Sequence, residues 1–126
     1  MIDCFVSTLD ISPKRIEWSR QVIREFQEQR DLRITVLDAG SSFEQMNWFR
    51  LEKLNIVSHW VRGSLHRRYL LAEVLAESEW YLLADNDCLP VSEYWLAAGL
   101  ETARKYPEFG LLVYRLLQSD FAHDHG

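Results

Sequence analysis

The strongest chemical signal in the sequence is a pair of aspartates, Asp85 and Asp87, at the end of an apolar segment. The segment, residues 80–90, reads Trp-Tyr-Leu-Leu-Ala-Asp-Asn-Asp-Cys-Leu-Pro. Two carboxylates this close repel each other in the absence of a cation. Hard divalent cations such as Mg²⁺ and Mn²⁺ take oxygen ligands, and they often bind one or two protein carboxylates together with substrate phosphates. The spacing therefore predicts a site for a divalent cation and a diphosphate.

Length and composition limit the kind of protein that carries this pair. The chain has 126 residues, 48% of them hydrophobic, and a formal net charge of -5. These values fit one compact domain with a hydrophobic core, and we predict a single domain over residues 1–126. A mild negative charge is unusual for a nucleic-acid-binding protein, which normally has a basic surface that neutralises phosphates. We therefore expect no nucleic-acid partner.

Neither a transmembrane segment nor a disulfide framework is expected. The apolar runs are short compared with the roughly 20 residues that span a bilayer, and the amino terminus does not have the pattern of a signal peptide. We therefore expect a cytoplasmic protein. The two cysteines, Cys4 and Cys88, fit structural thiols better than a disulfide or a Cys-x-x-Cys metal site.

Short apolar segments alternate with amphipathic ones along the chain. The apolar segments predict strands at residues 2–7, 33–37, 55–61, 80–84 and 111–116. The amphipathic segments predict helices at residues 12–30, 41–54, 64–78 and 92–106. Ser12 before Pro13 is typical of a helix start, and Ser41 with Glu44 has the spacing of a capping box. The alternation indicates an α/β fold, a three-layer α/β/α sandwich with a mostly parallel sheet.

Polar side chains follow three of the predicted strands. Ser7 and Thr8 end the first strand, Asp38 ends the second, and Asp85 ends the fourth. Ligands of parallel α/β sheets bind beyond the carboxyl ends of the strands, so we expect these side chains to meet at one edge. Asp38 alone fits a turn residue equally well. The convergence of several polar groups is what favours a binding site.

The order of elements around Asp85-Asn86-Asp87 resembles the nucleotide-sugar-binding half of GT-A fold glycosyltransferases. The three residues resemble the DxD motif of that family, and residues 71–79 resemble the helix and turn before its DxD strand. The resemblance covers nearly the whole chain and implies a GT-A fold, the Rossmann-like fold of nucleotide-diphospho-sugar transferases. It implies a metal-dependent hexosyl- or related transferase that moves a sugar from a nucleoside diphosphate to an unknown acceptor.

The resemblance also implies roles for individual residues. Ser7 and Thr8 would lie near the nucleobase, and Asp38 would bind the nucleoside. Asp85 would contact the ribose or the metal, and Asp87 would bind the divalent cation, Mn²⁺ or Mg²⁺, directly.

A basic cluster precedes the helix that leads to the carboxylate pair. It contains Arg62, His66, Arg67 and Arg68, and a helix start of this kind favours anions. Members of the family often place a diphosphate-binding arginine or lysine in this region, which makes Arg62 and Arg67 candidates. A solvated basic helix start is the alternative interpretation.

The sequence departs from the family after the carboxylate pair, where only residues 88–126 follow. GT-A enzymes continue with an acceptor-binding half, which supplies the general base in inverting members. Candidates for a base and for a further metal ligand exist in the tail, although a flexible terminus is the simpler interpretation. The candidates are Asp120, Asp124, His123 and His125. A non-catalytic nucleotide-sugar-binding or oligomerisation domain of the same fold is therefore the alternative, and the aromatic content is compatible with a homodimer.

Two other enzyme classes fit less well. Haloacid-dehalogenase-like phosphatases also have Asp-x-Asp after a strand, but the motif usually opens their domain, whereas three α/β units precede it here. Nucleotidyltransferases of related fold normally have a glycine-rich loop with basic residues after the first strand. The corresponding segment here, residues 7–10, reads Ser-Thr-Leu-Asp and has neither feature.

Overall fold

Four strands and four helices alternate along the part of the chain that a computed structural model describes. This part is residues 1–59 and 65–114, with residues 65–67 described by their backbone alone. The strands are β1 (Ile2–Thr8), β2 (Leu32–Asp38), β3 (Asn55–Ser58) and β4 (Tyr81–Asp85). The helices are α1 (Pro13–Gln27), α2 (Phe43–Leu51), α3 (Leu65–Leu75) and α4 (Trp95–Lys105).

The strands form one parallel sheet in the order β3-β2-β1-β4. The register places Thr8 of β1 beside Asp38 of β2, and Ser7 of β1 beside Asp85 of β4. The order of the strands changes direction between β1 and β4, which makes this position a topological switch point, where open α/β sheets bind their ligands. The prediction of an α/β fold with a parallel sheet is confirmed.

One face of the sheet packs against α3. Phe5 of β1, Leu37 of β2 and Ala72 of α3 are buried together on this face. The ring of Tyr81 meets the ring of Phe5 edge to face, with 5.8 Å between the centroids. Burial of apolar surface from both neighbouring layers is expected for a parallel sheet, because crossover helices cover both of its faces.

The opposite face of the sheet carries the alternate side chains of the same strands. Cys4, Val6 and Val36 are fully buried there. Right-handed crossovers place α1 and α2 on this face, and the two helices lie side by side, since Arg20 of α1 donates a hydrogen bond to Gln45 of α2. The fold is the three-layer α/β/α sandwich that the sequence predicts.

Helix α1 starts where the sequence indicates. The hydroxyl of Ser12 accepts a hydrogen bond from the backbone N–H of Arg15, and Pro13 is the first helical residue. With 15 residues α1 is the longest of the described helices. No helix in residues 1–59 and 65–114 combines the length and the apolar character needed to cross a membrane.

Helix α2 starts one residue later than the predicted capping box implies. Ser42 rather than Ser41 is the cap, and its hydroxyl accepts a hydrogen bond from the backbone N–H of Gln45. The hydroxyl of Ser41 instead accepts a hydrogen bond from the backbone N–H of Asp10 and donates one to the carboxylate of Asp38. Tertiary contacts therefore decide which of the two serines caps the helix.

The chain divides into two compact units, Met1–Cys88 and Leu89–Gly126. The first contains the sheet with α1 to α3, and the second contains α4. A single domain over residues 1–126 stays a prediction.

In the second unit, Tyr114 packs back onto the start of α4. Its hydroxyl donates a hydrogen bond to the carbonyl of Trp95 at 2.8 Å, and the two rings lie 5.7 Å apart. Residues 111–114 are irregular, so the strand predicted at residues 111–116 is wrong over this part. Residues 115–126, including the candidates Asp120, His123, Asp124 and His125, lie outside the described residues.

Asp3 anchors the amino edge of the sheet. Its carboxylate accepts hydrogen bonds from the backbone N–H groups of Glu77 and Ser78 at 2.7 and 3.1 Å, and from the Ser78 hydroxyl at 3.2 Å. The guanidinium of Arg33 lies 2.6 Å from the same carboxylate. Burial by itself raises the pKa of the Asp3 carboxyl, but the hydrogen bonds outweigh burial and lower the pKa below its ordinary value. The turn before β4 is thereby fixed to the start of β1.

We predict that Asp3→Asn destabilises the protein by about 1–3 kcal/mol at neutral pH, because the amide presents N–H groups to N–H donors. The lowered pKa gives a stabilisation that is present above the unfolded-state pKa of about 3.9 and is lost as the pH falls through the folded-state pKa. The difference in melting temperature between wild type and variant should therefore shrink in acid. Thermal unfolding followed by circular dichroism across pH measures it. Asp31→Asn, at an exposed aspartate of the same edge, is the control, and an equal effect there contradicts the prediction.

Candidate functional site

The carboxyl ends of β1, β2 and β4 bring the predicted polar side chains to one edge of the sheet. Thr8 lies beside Asp38, and Ser7, which is half-buried, lies beside Asp85. Arg62 and the side chain of Arg67 lie outside the described residues. The roles assigned to all these residues by resemblance stay predictions, whereas their common position at this edge is a feature of the fold.

Asp38 is a buried carboxylate that holds the loop after β2. Its Oδ1 accepts hydrogen bonds from the hydroxyls of Thr8, at 2.7 Å, and Ser41. Its Oδ2 accepts from the backbone N–H groups of Gly40 and Ser41, both at 3.0 Å. Gly40 has φ 122°, a conformation that glycine adopts without strain, and it turns the backbone toward the carboxylate. These donors fill the acceptor positions of the carboxylate, so a nucleoside that bound Asp38 would replace one of them.

The predicted cation ligands lie at the end of β4 and on the turn that follows it. The ligand atoms of Asp85, Asp87 and Cys88 all lie within 4.8 Å of one another. The side chain of Asp85 is 60% exposed and that of Asp87 27%, so an ion can reach both. Carboxylate oxygens suit Mg²⁺ and Mn²⁺, and the donor set therefore fits a divalent cation.

The Cys88 thiol is the third donor of this group. Desolvation, together with the charges of Asp87 and Asp85 and a contact with Asp87, raises the pKa of the thiol to about 11. Cys88 is therefore a neutral thiol at neutral pH, and a neutral thiol is a weak ligand for hard cations. The two carboxylates are therefore the anionic donors of the group.

Both carboxylates of the pair face an arginine. Arg68 of α3 donates a hydrogen bond to Oδ1 of Asp85 at 2.9 Å, and Arg15 of α1 lies 3.7 Å from Oδ2 of Asp87. Arg68 belongs to the basic cluster that the sequence places near the diphosphate. Exposed ion pairs contribute about 0–1 kcal/mol to stability, so these pairs can be exchanged for a cation or a phosphate at low cost.

A second buried carboxylate at this edge, Asp10, is not singled out by the sequence analysis. Its Oδ1 accepts a hydrogen bond from the amide of Asn86 at 2.6 Å, and its Oδ2 accepts one from Gln45 at 2.9 Å. Burial raises the pKa of the Asp10 carboxyl, and the charge of Asp38 adds to the effect. Hydrogen bonds from Ser19, Gln45 and Asn86 offset it in part. The one signal in the sequence is that Asp10 comes shortly after the end of β1.

His59 is another residue of this edge that the sequence analysis does not single out. Its backbone N–H donates a hydrogen bond to the carbonyl of Asp38 at 2.8 Å. Both ring nitrogens are shielded from solvent and have no hydrogen-bond partner among the described residues. Unpaired buried polar atoms cost about 1–3 kcal/mol, so a hydrogen-bonding group that reached the ring would be bound favourably.

Comparison with known proteins adds evidence at the level of structure. No family model and no curated protein matches the chain, but solved structures do. The mannosyltransferase PcManGT from Pyrobaculum calidifontis, in complex with GDP-Man and Mn²⁺, aligns with a TM-score of 0.64 and 24% identity over 81% of this chain. TarS from S. aureus aligns with a TM-score of 0.60 and 16% identity over 84% of this chain. Its complex with UDP-GlcNAc aligns with a TM-score of 0.62 and 14% identity over 85%.

The chain has the GT-A-like fold of these glycosyltransferases. The fold that the resemblance implies is thereby confirmed. The chain spans about a third of the length of each of these proteins, 33% of the TarS chain, 32% of PcManGT and 32% of the TarS complex. In the GT-A-like fold, the Asp85–Asp87 pair lies at the topological switch point of the sheet.

We predict that Asp38→Asn lowers the stability of the GT-A-like domain by about 1–3 kcal/mol, because an amide nitrogen cannot accept the bonds that reach the carboxylate. Thr8→Val, which removes one donor and keeps the shape, should cost less. Thr8→Ser, which keeps the hydroxyl, is the matched control. Chemical denaturation measures the free energy of unfolding of each variant, and an Asp38→Asn variant as stable as wild type would show that the network contributes nothing.

Proposed function

We propose that this chain binds a nucleoside diphosphate sugar together with a divalent cation, Mn²⁺ or Mg²⁺, and acts as a glycosyltransferase. The observation that carries the proposal is the carboxylate pair of Asp85 and Asp87, with ligand atoms within 4.8 Å, at the switch point of the sheet. Support comes from the fold, which is shared with glycosyltransferases whose structures contain GDP-Man with Mn²⁺, or UDP-GlcNAc.

The two aspartates have different roles in this proposal. Asp87 is the direct ligand of the cation, and Asp85 contacts the ribose or the cation. The cation neutralises the charge that appears on the diphosphate when the bond between the anomeric carbon and the phosphate oxygen breaks. The acceptor hydroxyl forms the new bond to that carbon and loses its proton to a base. That base is unassigned, and Asp120 and Asp124 stay candidates outside the described residues.

The neighbouring strands supply the nucleoside side of the site. Ser7 and Thr8 lie near the nucleobase, and Asp38 orders the loop against which the nucleoside binds. For the diphosphate, Arg68 is supported by its 2.9 Å contact with Asp85, because a cation held by Asp85 brings the phosphates to the same place. Arg62 and Arg67 stay candidates for the same role.

Assembly and location are separate questions. A homodimer, a cytoplasmic location and the absence of a nucleic-acid partner stay predictions from the sequence. The acceptor is equally open, since the chain spans about a third of the length of the glycosyltransferases it matches.

We predict that Asp87→Asn abolishes Mn²⁺-dependent binding of nucleotide sugars and leaves the fold intact. The amide removes the negative charge that holds the cation, and the side chain lies on a surface turn. Isothermal titration of UDP, GDP and their sugar conjugates, with Mn²⁺ and then with excess chelator, measures binding. The melting temperature reports the fold.

Asp31→Asn is the matched control, because it makes the same substitution at the opposite edge of the sheet. Undiminished binding by Asp87→Asn would exclude Asp87 as the ligand. Release of the sugar by hydrolysis favours the transferase, whereas tight binding without turnover favours a nucleotide-sugar-binding domain of the same fold.

We predict that Arg68→Met has opposite effects on two affinities. The affinity for Mn²⁺ alone should rise, because Arg68 no longer competes for Asp85, and the affinity for nucleotide in the presence of Mn²⁺ should fall. A contribution of about 1 kcal/mol corresponds to a change of about five-fold in Kd. Paramagnetic resonance of free Mn²⁺ and nucleotide titration measure the two affinities. Arg24→Met, at an arginine that lies over Trp48, is the control, and a variant with both affinities unchanged rules out the role of Arg68.

A further inference from the structure

We infer that a buried hydrogen-bond network centred on Asp10 and Asn86 holds Asp85 and Asp87 in the conformation that binds the cation. The inference rests on the proposed function and deepens it, because it names two positioning residues that are not themselves ligands.

The network joins the loop after β1, α1, α2 and the turn after β4. Asn86, on the turn after β4, donates one hydrogen bond to Asp10 at 2.6 Å and another to the Ser19 hydroxyl of α1 at 3.1 Å. Asp10, in the loop after β1, also accepts a bond from Gln45 of α2 at 2.9 Å. Asp10, Ser19 and Gln45 are fully buried, with 0% of their surface exposed. The half-buried Asn86 is therefore tied to the interior of the protein.

Gln45 determines the direction in which this chain of hydrogen bonds runs. Its amide oxygen accepts a bond from Nε of Arg20 at 3.0 Å, so its amide N–H group must face Asp10. Arg20 is a donor only, and an ionised carboxylate is an acceptor only. Asp10 therefore accepts from amides on both sides, and Asn86 must present its own N–H group to Asp10. The orientation of the Asn86 side chain follows from groups on α1 and α2.

Asp10 is itself held on both sides through its backbone. Its N–H donates a hydrogen bond to the Ser41 hydroxyl at 2.8 Å, and its carbonyl accepts one from the N–H of Ser42 at 2.9 Å. Ser41 also donates to Asp38. The two buried aspartates are thus joined through one serine, and the Asn86 side chain is bonded to a residue whose backbone is fixed by the loop that Asp38 holds.

The position of Asn86 links this network to the cation site. Asn86 lies between Asp85 and Asp87 in sequence, and it reaches Ser19 of α1, whereas Asp85 reaches Arg68 of α3 on the other face of the sheet. Because the Asn86 side chain is tied to Asp10 and Ser19, the backbone of the turn between the two aspartates is held in place. Part of the ordering needed to bind a cation is therefore already present in the free protein.

The test compares the Mn²⁺ affinity of variants whose ligands are unchanged. Paramagnetic resonance of free Mn²⁺ gives the Kd, measured with whichever of GDP or UDP the wild type binds. We expect Asn86→Ala and Asp10→Asn each to raise the Kd for Mn²⁺ by about ten-fold or more, the range seen when groups that orient metal ligands are removed. Ser19→Ala leaves the hydrogen bond between Asn86 and Asp10 in place, so it should raise the Kd for Mn²⁺ by a smaller factor.

Exchanging the side chains of Asp10 and Asn86 distinguishes the effect of positioning from the effect of an added negative charge. In the double variant Asp10→Asn/Asn86→Asp, the amide at position 10 donates to the carboxylate at position 86, and the Ser19 hydroxyl turns to donate as well. The single variant Asn86→Asp adds the same charge beside the cation site but sets two carboxylates against each other. We expect the double variant to bind Mn²⁺ more tightly than the Asp10→Asn variant, with a Kd within about three-fold of wild type.

Ile23→Val, at a fully buried residue of α1, controls for lost stability. It should lower the melting temperature and leave the Kd for Mn²⁺ unchanged, whereas the network variants should change the Kd at temperatures where they are fully folded. Wild-type affinity in Asn86→Ala, or no recovery in the double variant, overturns the inference alone. A wild-type chain that binds no Mn²⁺ with any nucleotide overturns the proposed function and the inference together. If Asn86→Ala does not fold, the Kd values of Ser19→Ala and of the double variant replace it. Wild-type affinity in Ser19→Ala, or no recovery in the double variant, then overturns the inference.

Discussion

A carboxylate taken out of water must find donors that replace its hydration, and this requirement organises both edges of the sheet. At the amino edge, Asp3 collects the N–H groups of the turn before β4. At the carboxyl edge, Asp38 accepts hydrogen bonds from the loop after β2. Asp10 accepts them from side-chain amides of α2 and of the turn after β4. Asp3 and Asp10 join segments that no backbone ladder connects, whereas Asp38 holds the loop that follows its own strand. Among the described residues, the loop after β2 and the turns before and after β4 are held by hydrogen bonds to these buried carboxylates.

The two edges meet this requirement in different ways. Asp3 has a full positive charge as a partner, Arg33, and its hydrogen bonds lower its pKa despite burial. Asp10 has neutral partners, so burial prevails and its pKa is raised. An ion pair therefore stabilises the edge remote from the proposed cation ligands, whereas the edge that carries those residues holds the Asp10 carboxylate at an energetic cost. Such perturbed groups are more frequent at functional sites than elsewhere, and the arrangement fits a carboxyl edge organised for binding.

The order of strands and helices could be predicted from the sequence, because the spacing of hydrophobic residues and the residues that begin a helix are local properties of the chain. The meeting of polar groups at one edge follows from the parallel sheet. Features that depend on distant partners could not be predicted. Ser41 and Ser42 fit a helix cap equally well, and residues 111–116 have the composition of a strand. The hydrogen bond between Asn86 and Asp10 could not be predicted from sequence spacing, because an asparagine between two aspartates also fits an ordinary turn.

The charge of the carboxyl edge bears on the role of the proposed cation. Asp10, Asp38, Asp85 and Asp87 lie around one end of the sheet, and Arg15 and Arg68 offset their charge only in part. A diphosphate that approached these four carboxylates would be repelled by them. In the proposed function, a divalent cation bound to Asp85 and Asp87 would offset the negative charge at the place where the phosphates would lie. Such a cation would also compete with Arg68 for Asp85, so that binding of the cation would leave a second positive group available to the phosphates.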